Sequence, residues 1–467
     1  MLFNSFEYIF AFLPLTFFAY FYFAGRINFP AAKCTLVFAS LFFYSWWNIA
    51  YLPLLLFSVL FNFGVSVYLS SSSDKLFRKL SLIIGISGNL TLLGYFKYAD
   101  FFLQTGNLIF QTRFAELNLL LPLAISFFTF QQIAFLVDCY RNETITGNFL
   151  DYCLFVTFFP QLIAGPIVHH KEMMPQFAAL ENRGPHYKNI ATGIFVFVLG
   201  LFKKVVIADT FATWATPGFD QSSTLTFLEG WATSLSYTFQ LYFDFSGYTD
   251  MALGAALLFN IRLPINFNSP YKALDIADFW RRWHMTLGRF FKDYVYIPLG
   301  GNRHSAPITL RNLLITFFLV GLWHGQEWMF VFWGLLHGAA MVVHRMWKKL
   351  NSPLPGFLAW FITFNFINIS WVFFRATSWP DAMKVLKAMF GFNGIDFSHF
   401  EYFPEIGVAV YGVLLLSIFY TVTLTKNSNS FYENFSYTPK MLLIFFALFS
   451  ISYINISQTS EFLYFRF

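Results

Sequence analysis

The sequence predicts an all-α polytopic integral membrane protein, because it is apolar, poor in charge and built from long uncharged runs. Of its 467 residues, 57% are hydrophobic and 12% are charged, whereas an ordinary soluble domain carries about 25% charged residues. The mean hydropathy is +0.55. A disordered chain is excluded, since 22% of the residues are aromatic. Three cysteines in the whole chain exclude a disulfide-rich secreted scaffold.

Runs without Asp, Glu, Lys or Arg recur from one end of the chain to the other. The longest is Cys34–Ser73, and one spanning helix needs about 20 mostly apolar residues. Together the runs predict about ten to twelve membrane segments. The other windows are Ile9–Gly25, Leu80–Phe96, Leu117–Val137, Tyr152–His170, Trp328–His344, Leu350–Phe374, Ile406–Thr425 and Met441–Ser460.

The ends of these segments carry further signals. We interpret Met1–Gly25 as a retained first helix, because it lacks a basic leader and a small-residue cleavage site. Basic clusters indicate candidate cytoplasmic ends, and they are Lys75, Arg78 and Lys79; Lys203 and Lys204; and Arg345, Lys348 and Lys349. No linker divides the chain, so we expect a single membrane-embedded domain over 1–467.

The segment Tyr271–Arg311 differs from the rest in its charge. Seven of its 41 residues are basic and three are acidic, a net +4 against +6 for the whole chain. Residues 275–296 have the spacing of an amphipathic helix, with Asp275 and Asp278 at its start and Pro298 after its end. One face carries Trp280, Trp283, His284, Leu287, Phe290, Phe291 and Tyr294, and the other Arg281, Arg282, Arg289, Lys292 and Asp293. One interpretation is an interfacial helix whose arginines contact lipid phosphates.

Two histidines stand in apolar surroundings. His284 lies on the aromatic face of that helix, and His324 lies between two apolar runs, with Gly321 and Gly325 on either side. Each has a structural interpretation, as a hydrogen-bonded core residue, and a functional one. An ionisable group at membrane depth usually faces a cavity or a partner, and histidine is suited to proton transfer near neutral pH. His337 follows on the next predicted helix.

Other polar residues interrupt the apolar segments, and we expect most of them to make hydrogen bonds between helices. The stretch FFPQLIAGPIVHH predicts a kinked or broken helix. The residues concerned are Gln131, Gln132, Asp138, Gln161 and Asp244.

Several classes of site have no motif here. A Walker loop, a dinucleotide-binding glycine pattern and G-x-S-x-G are absent from the sequence. The histidines lie far apart in sequence with no cysteine near them, so no metal is expected. A non-enzymatic polysaccharide or lipid transporter, or a scaffold for another enzyme, stays open on these grounds.

Ordered motifs resemble the membrane-bound O-acyltransferase superfamily, and most closely its bacterial branch typified by the alginate O-acetyltransferase membrane subunit. They are LPLAISFFTFQQIAFLVDCYR, FFPQLIAGPI, LYFDFSGYTDMALG, LPINFNSPY, FWRRWHMTLGRFFKDYVYIPLGGNR, GLWHG followed by WGLLHG, and the ending EFLYFRF. The likeness covers essentially the whole chain. Many relatives have serine at the position of Thr286, and both residues carry a hydroxyl. The chain is shorter than typical alginate subunits after Arg375, so the acceptor stays open.

The resemblance implies a many-helix membrane body with a tunnel or opposed funnels and re-entrant or interfacial helices. It implies a catalytic core over about 120–345, with the amphipathic segment of about 275–296 on the cytoplasmic face. His324 takes the place of the family's essential histidine, and His284 that of a second polar residue. For binding of the acyl donor we expect Arg281, Arg282, Arg289, Lys292 and Trp323.

The resemblance also implies the reaction. Acetyl-CoA would be the donor substrate, with no tightly bound cofactor, and His324 would act as general base on the acceptor hydroxyl. His284, Trp323 or backbone N–H groups near Gly325 are candidate donors to the oxyanion. The acceptor would be an exported or cell-wall polysaccharide, alginate-like or peptidoglycan. Transfer is either direct or relayed by a periplasmic partner of the SGNH-hydrolase type. We expect a bacterial inner-membrane, multi-pass protein that contacts lipid and binds no nucleic acid.

Overall fold

The computed structural model describes residues 1–395, 408–456 and 462–463. Within these ranges every regular element is a helix, which confirms the all-α prediction. Of the ending EFLYFRF, residues 461 and 464–467 lie outside the described residues, as do 406–407 and 457–460 of two apolar windows. The described chain forms two compact units, and the helices Tyr187–Phe202 and Phe227–Leu258 contribute residues to both. The single-domain expectation stays a prediction.

The first unit comprises Met1–Val198 and Tyr248–Pro264. Its helices begin where the local sequence favours a start: Asn28 and Asp74 accept hydrogen bonds from N–H groups in the first turn of the helix that follows each of them. The helices are α1 (Leu13–Arg26), α2 (Phe29–Ser45), α3 (Leu52–Ser71), α4 (Lys75–Leu93), α5 (Ala99–Phe110), α6 (Ile125–Tyr140), α7 (Phe149–Thr157), α8 (Phe159–Leu162), α9 (His170–Ala178) and α10 (Tyr187–Phe202).

Polar side chains inside the first unit join its helices, as the sequence predicts. Gln131 and Gln161 both donate through Nε2 to the carbonyl of Phe155, at 2.8 and 2.6 Å. Gln132 donates to the hydroxyl of Ser58 at 2.8 Å. The carbonyl that Gln131 and Gln161 share lies next to the predicted break, where α7 ends at Thr157 and the short α8 follows. These glutamines are therefore structural hydrogen-bonding residues.

The second unit comprises Leu199–Gly247 and Ile265–Phe467. It contains both histidines and the basic segment that the sequence singles out. Its helices are α11 (Asp209–Thr216), α12 (Phe227–Leu258), α13 (Ile276–Arg282), α14 (Met285–Phe291), α15 (Ala306–His324), α16 (Trp328–Lys349), α17 (Gly356–Arg375), α18 (Trp379–Met389), α19 (Val408–Leu424), α20 (Asn429–Asn434) and α21 (Pro439–Asn455).

Seven helical segments of the described chain are long and apolar enough to cross a membrane. They are Glu7–Arg26, Ile49–Ser71, Lys75–Phe110, Tyr187–Gln221, Ala306–His324, Trp328–Lys349 and Gly356–Arg375. Four shorter apolar helices accompany them: Phe29–Ser45, Ile125–Tyr140, Tyr411–Leu424 and Pro439–Asn455. The protein is thus a multi-pass membrane protein, and the expected ten to twelve segments are reached only if shorter helices also cross.

One basic cluster lies where the sequence did not lead us to expect it. Lys203 and Lys204 are buried, at 9% and 3% exposure, and so do not form a solvated cytoplasmic end. The ammonium of Lys204 lies 2.7 Å from the carboxylate of Asp244 and 2.9 Å from that of Asp209. Asp244 also accepts a hydrogen bond from the backbone N–H of Leu463 at 3.0 Å. Asp244 is therefore part of a buried ion-pair network.

Candidate active site

The basic segment is helical, but the single amphipathic helix expected over 275–296 is interrupted. Asp275 caps α13 by accepting a hydrogen bond from the N–H of Asp278 at 2.7 Å, as predicted. α13 ends at Arg282, and α14 begins at Met285. Between them His284 has a φ of +43°, in the left-handed region, where a non-glycine residue persists only when its surroundings hold it. The periodicity of the sequence does not show this break.

Asn266, in the LPINFN segment, stabilises the break between α13 and α14 through its hydrogen bonds. Its main-chain carbonyl accepts from the N–H of Met285 at 2.9 Å. Its side-chain oxygen lies 3.1 Å from Nδ1 of His284 and accepts from the N–H and the hydroxyl of Thr286, at 3.2 and 3.0 Å. The hydroxyl at position 286 therefore takes part in the structure that positions His284.

His284 is fully buried among aromatic rings. Its ring meets Phe245 edge-on with centroids 4.8 Å apart, and Trp323 at 5.9 Å. His284 lies outside the membrane-spanning helices, and burial lowers its pKa to about 3. The ring is therefore neutral at physiological pH.

His324 ends α15 and is also buried, at 1% exposure. Its imidazole contacts the rings of Trp323 at 4.9 Å, Trp333 at 5.1 Å and Phe374 at 5.2 Å. Trp323 therefore contacts both histidines, and it brings together two residues that lie forty positions apart in the sequence. Both histidines are buried inside the unit among aromatic rings.

Glycines set the position of His324. A Cβ on Gly321 would lie 2.3 Å from the carbonyl oxygen of Phe330, and a Cβ on Gly334 would lie 2.4 Å from that of Phe317. The backbones of α15 and α16 thus touch at these two positions, as small residues allow in membrane helices. At Gly325 a Cβ would lie 2.1 Å from the ring of Phe330. The glycines around His324 are required by close packing.

His337, on α16, has a hydrogen-bond partner at each of its ring nitrogens, and its role is structural. The indole N–H of Trp280 donates to its Nδ1 at 3.2 Å, so the neutral ring carries its proton on Nε2. Nε2 lies 3.0 Å from the hydroxyl of Ser370, which itself donates to the carbonyl of Ile367 at 2.8 Å. His337 therefore joins α13, α16 and α17 as a structural residue.

Comparison with known proteins decides the family. The sequence model of the "MBOAT, membrane-bound O-acyltransferase family" matches residues 141–378. The chain is 53% identical over 429 residues to the peptidoglycan O-acetyltransferase of Helicobacter pylori, covering 85% of this chain and 81% of the relative. The chain belongs to the membrane-bound O-acyltransferase family. This confirms the resemblance and the prediction of an enzyme.

Two further relatives place this O-acyltransferase among bacterial proteins of related activity. It is 37% identical over 430 residues to the probable alginate O-acetylase AlgI of Pseudomonas aeruginosa, covering 90% of this chain and 81% of the relative. It is 30% identical over 288 residues to the teichoic acid D-alanyltransferase of Streptococcus thermophilus, covering 55% of this chain and 69% of that protein. The donor-binding and catalytic residues stay predictions.

The basic residues predicted to bind the donor lie at different places in the O-acyltransferase. Arg281 and Arg282 both form ion pairs with Asp278, at 3.3 and 2.9 Å, and Arg289 is half-buried on α14. Lys292 lines a separate polar cavity of about 240 Å³ with Tyr296, Ile297, Gly300, Gly301, Asn302 and Arg303. Trp323 lies with the two histidines. The predicted set is therefore not one cluster.

Sequence reasoning missed three residues of this region. Asn266 and Arg303 stand within quoted motifs, yet nothing in their spacing links them to His284 or Lys292. Trp333 is fully buried, its indole N–H has no hydrogen-bond partner among the described residues, and its ring contacts His324. In the described residues no group of three or more His, Cys, Asp or Glu side chains is placed to hold a metal ion.

Proposed function

We propose that this O-acyltransferase transfers an acetyl group from cytoplasmic acetyl-CoA to a hydroxyl of an exported or cell-wall polysaccharide. Family membership supports acyl transfer, and the names of the relatives support acetyl as the group transferred. Peptidoglycan is the first acceptor to test, because the relative at 53% identity is named for it. An alginate-like polysaccharide is the second.

The observation that carries the proposal is the contact of two buried imidazoles with one indole. Trp323 touches His284 at 5.9 Å and His324 at 4.9 Å, between ring centroids. Acyl transfer to a hydroxyl needs a group that takes a proton and groups that hold the reactants. The two buried histidines can supply a group that takes the proton and a group that holds a reactant, and both contact Trp323.

In the proposed reaction His324 accepts the proton of the acceptor hydroxyl as its oxygen attacks the thioester carbonyl. The new C–O bond gives a tetrahedral oxyanion, which collapses with cleavage of the C–S bond. The departing thiolate takes the proton from His324, so the thiol of CoA leaves and the imidazole is neutral again. General-base help of this kind contributes about 10²–10⁴ in rate. The indole N–H of Trp333 is the side-chain candidate for stabilising the oxyanion.

For the phosphates of the donor we propose the cavity that Lys292 shares with Arg303. Two cations line a polar space of about 240 Å³, and charge-assisted hydrogen bonds to phosphate are the strong ones. Arg281 and Arg282 are already engaged by Asp278, so they are second choices. Arg289 stays a predicted ligand of the phosphates, and Trp323, which contacts both histidines, is proposed to lie nearer the acyl group.

We further propose an inner-membrane location, with the donor entering from the cytoplasm and the acyl group leaving on the other side. A periplasmic partner of the SGNH-hydrolase type would then relay the group to the polysaccharide. The support is the family resemblance, together with the multi-pass character of the chain. Direct transfer to the sugar is the alternative, and it predicts that the purified protein acetylates the polysaccharide without a partner.

The test is ester-linked acetate in a deletion strain complemented with wild type, His324→Ala or His186→Ala at matched membrane levels. His186 is an exposed loop histidine that bonds the carbonyl of Glu181, so it controls for loss of any histidine. We expect His324→Ala to lose the ester that mild alkali releases from isolated peptidoglycan, and His186→Ala to keep it.

A second arm uses purified wild type in lipid nanodiscs with acetyl-CoA and measures CoA release with and without acceptor. Full acetylation in the His324→Ala strain would refute the histidine mechanism. Loss of ester from another polysaccharide, with peptidoglycan unchanged, would reassign the acceptor.

A further inference from the structure

The hydrogen bonds around Asn266 determine which nitrogen of His284 carries its proton. The backbone N–H of Thr286 points at the end of the Asn266 amide, 3.2 Å away. A backbone N–H only donates, so the atom that it meets must be the amide oxygen rather than the NH2 group. The orientation of the amide is therefore fixed by the main chain.

The same oxygen lies 3.1 Å from Nδ1 of His284. An amide oxygen only accepts, so Nδ1 must donate and must carry a hydrogen. In the neutral imidazole the second nitrogen, Nε2, then has a lone pair and no hydrogen. His284 makes this contact from a left-handed backbone position, with a φ of +43°.

The ring stays neutral in this environment. His284 is fully buried against Phe245 of α12 and Trp323 of α15, and burial lowers its pKa to about 3. The titratable residues next to Phe245 and Trp323 in the chain are Asp244, which is paired with Lys204, and His324. Arg289 is the basic residue of its own helix, α14.

We propose that Asn266 is a positioning residue that fixes His284 as the Nδ1–H tautomer, so that Nε2 accepts a hydrogen bond from an O–H of the acyl acceptor. His284 is then not a donor to the oxyanion, because Nε2 has no hydrogen to donate. The two histidines have separate tasks: His284 orients the acceptor, and His324 takes the proton of the reacting hydroxyl. This role rests on the proposed function, whereas the tautomer does not.

The tautomer is measurable without any activity. Solid-state NMR of ¹⁵N,¹³C-histidine-labelled protein in lipid bilayers distinguishes the Nδ1–H from the Nε2–H tautomer, and a His284→Gln sample assigns the signal. We expect the Nδ1–H form at pH 5–8 in wild type, and its loss in Asn266→Leu. An Nε2–H ring in wild type, or an unchanged ring in Asn266→Leu, would overturn the inference even if the enzyme transfers acetyl groups.

Kinetics test the consequence with Asn268→Leu as the matched control. Asn268 is an exposed asparagine two residues further along the same loop, whose amide oxygen accepts from Asn427. We expect Asn266→Leu to lower kcat about 10²-fold, with the KM for acetyl-CoA within about twofold, while Asn268→Leu stays at the wild-type rate. A wild-type kcat in Asn266→Leu would refute the positioning role.

Asn266→Asp separates positioning from general damage. A carboxylate accepts the same hydrogen bonds from His284 and Thr286 but raises the pKa of the imidazole. We expect kcat to be restored toward wild type at high pH, with its acid limb moved upward by at least about one pH unit. A variant that only damages the fold would lower the whole profile without moving it, and that result would refute the proposal. If wild type transfers no acetyl group yet holds the Nδ1–H tautomer, the proposed function fails and the tautomer stands.

Discussion

The contact between Gly321 and Gly334 sets how near α15 and α16 approach, three residues before His324. A methyl group on Gly321 would lie 2.3 Å from the carbonyl oxygen of Phe330 and 2.9 Å from the Cα of Gly334. Carbon and oxygen atoms in close contact normally stand about 3.3 Å apart or more. Gly321→Ala must therefore separate the two backbones by about 1 Å locally. No side-chain rotation can relieve the clash, because both neighbouring atoms belong to the backbone.

This displacement of the two backbones is expected to lower both the stability of the protein and its reaction rate. Overpacking of a tight interior costs about 1–3 kcal/mol of stability. A displacement of about 1 Å in a catalytic group costs about 10²-fold in rate. Since His324 ends the helix that must move, we expect Gly321→Ala to lose activity by about 10²-fold while most of the protein stays folded.

The assay is acetyl transfer per folded molecule, with unfolding temperature measured on the same nanodisc preparation. Gly338→Ala is the matched control on α16, because its Cβ would lie 3.1 Å from Cβ of Phe317 and 3.3 Å from Cδ2 of Leu314, and its nearest backbone neighbour, Cα of Leu314, is at an ordinary contact distance of 3.5 Å. We expect that control to stay within about threefold of wild type, since flexible side chains adjust by tenths of an ångström. Wild-type activity in Gly321→Ala would show that His324 is not positioned by this contact.

Two further predictions concern charge. Replacing Lys292 and Arg303 by glutamine should raise the KM for acetyl-CoA about tenfold or more at nearly constant kcat, because each lost charge-assisted hydrogen bond is worth about 1.5–3 kcal/mol. The control is Lys349→Gln, at an exposed lysine that ends α16. An unchanged KM in the double variant would show that this cavity does not bind the donor. Lys204→Met should destabilise the protein by about 3–5 kcal/mol, because it leaves the buried carboxylate of Asp244 without its counter-charge. Adding Asp244→Leu should recover most of this loss of stability. Equal unfolding temperatures for wild type and Lys204→Met would contradict the ion-pair role.

The sequence by itself determined the fold class and the family, because both are written in local features. Uncharged runs of spanning length give membrane helices whatever lies beside them, and Asp275 caps α13 through a hydrogen bond to a residue three positions on. His324 was recognisable because an ionisable side chain between two apolar runs needs an explanation. The ordered motifs around it identify the family.

Only the tertiary structure decided how the site is assembled, because that depends on contacts between residues distant in sequence. The break at His284 interrupts an unbroken helical pattern, and it exists because Asn266, eighteen residues earlier, binds both sides of it. Lys203 and Lys204 have the pattern of an exposed basic end of a helix, yet Lys204 is buried and forms an ion pair with Asp244. His284 and His324 both contact Trp323 because the break between α13 and α14 lies against the end of α15, and periodicity within one helix carries no information about its neighbours.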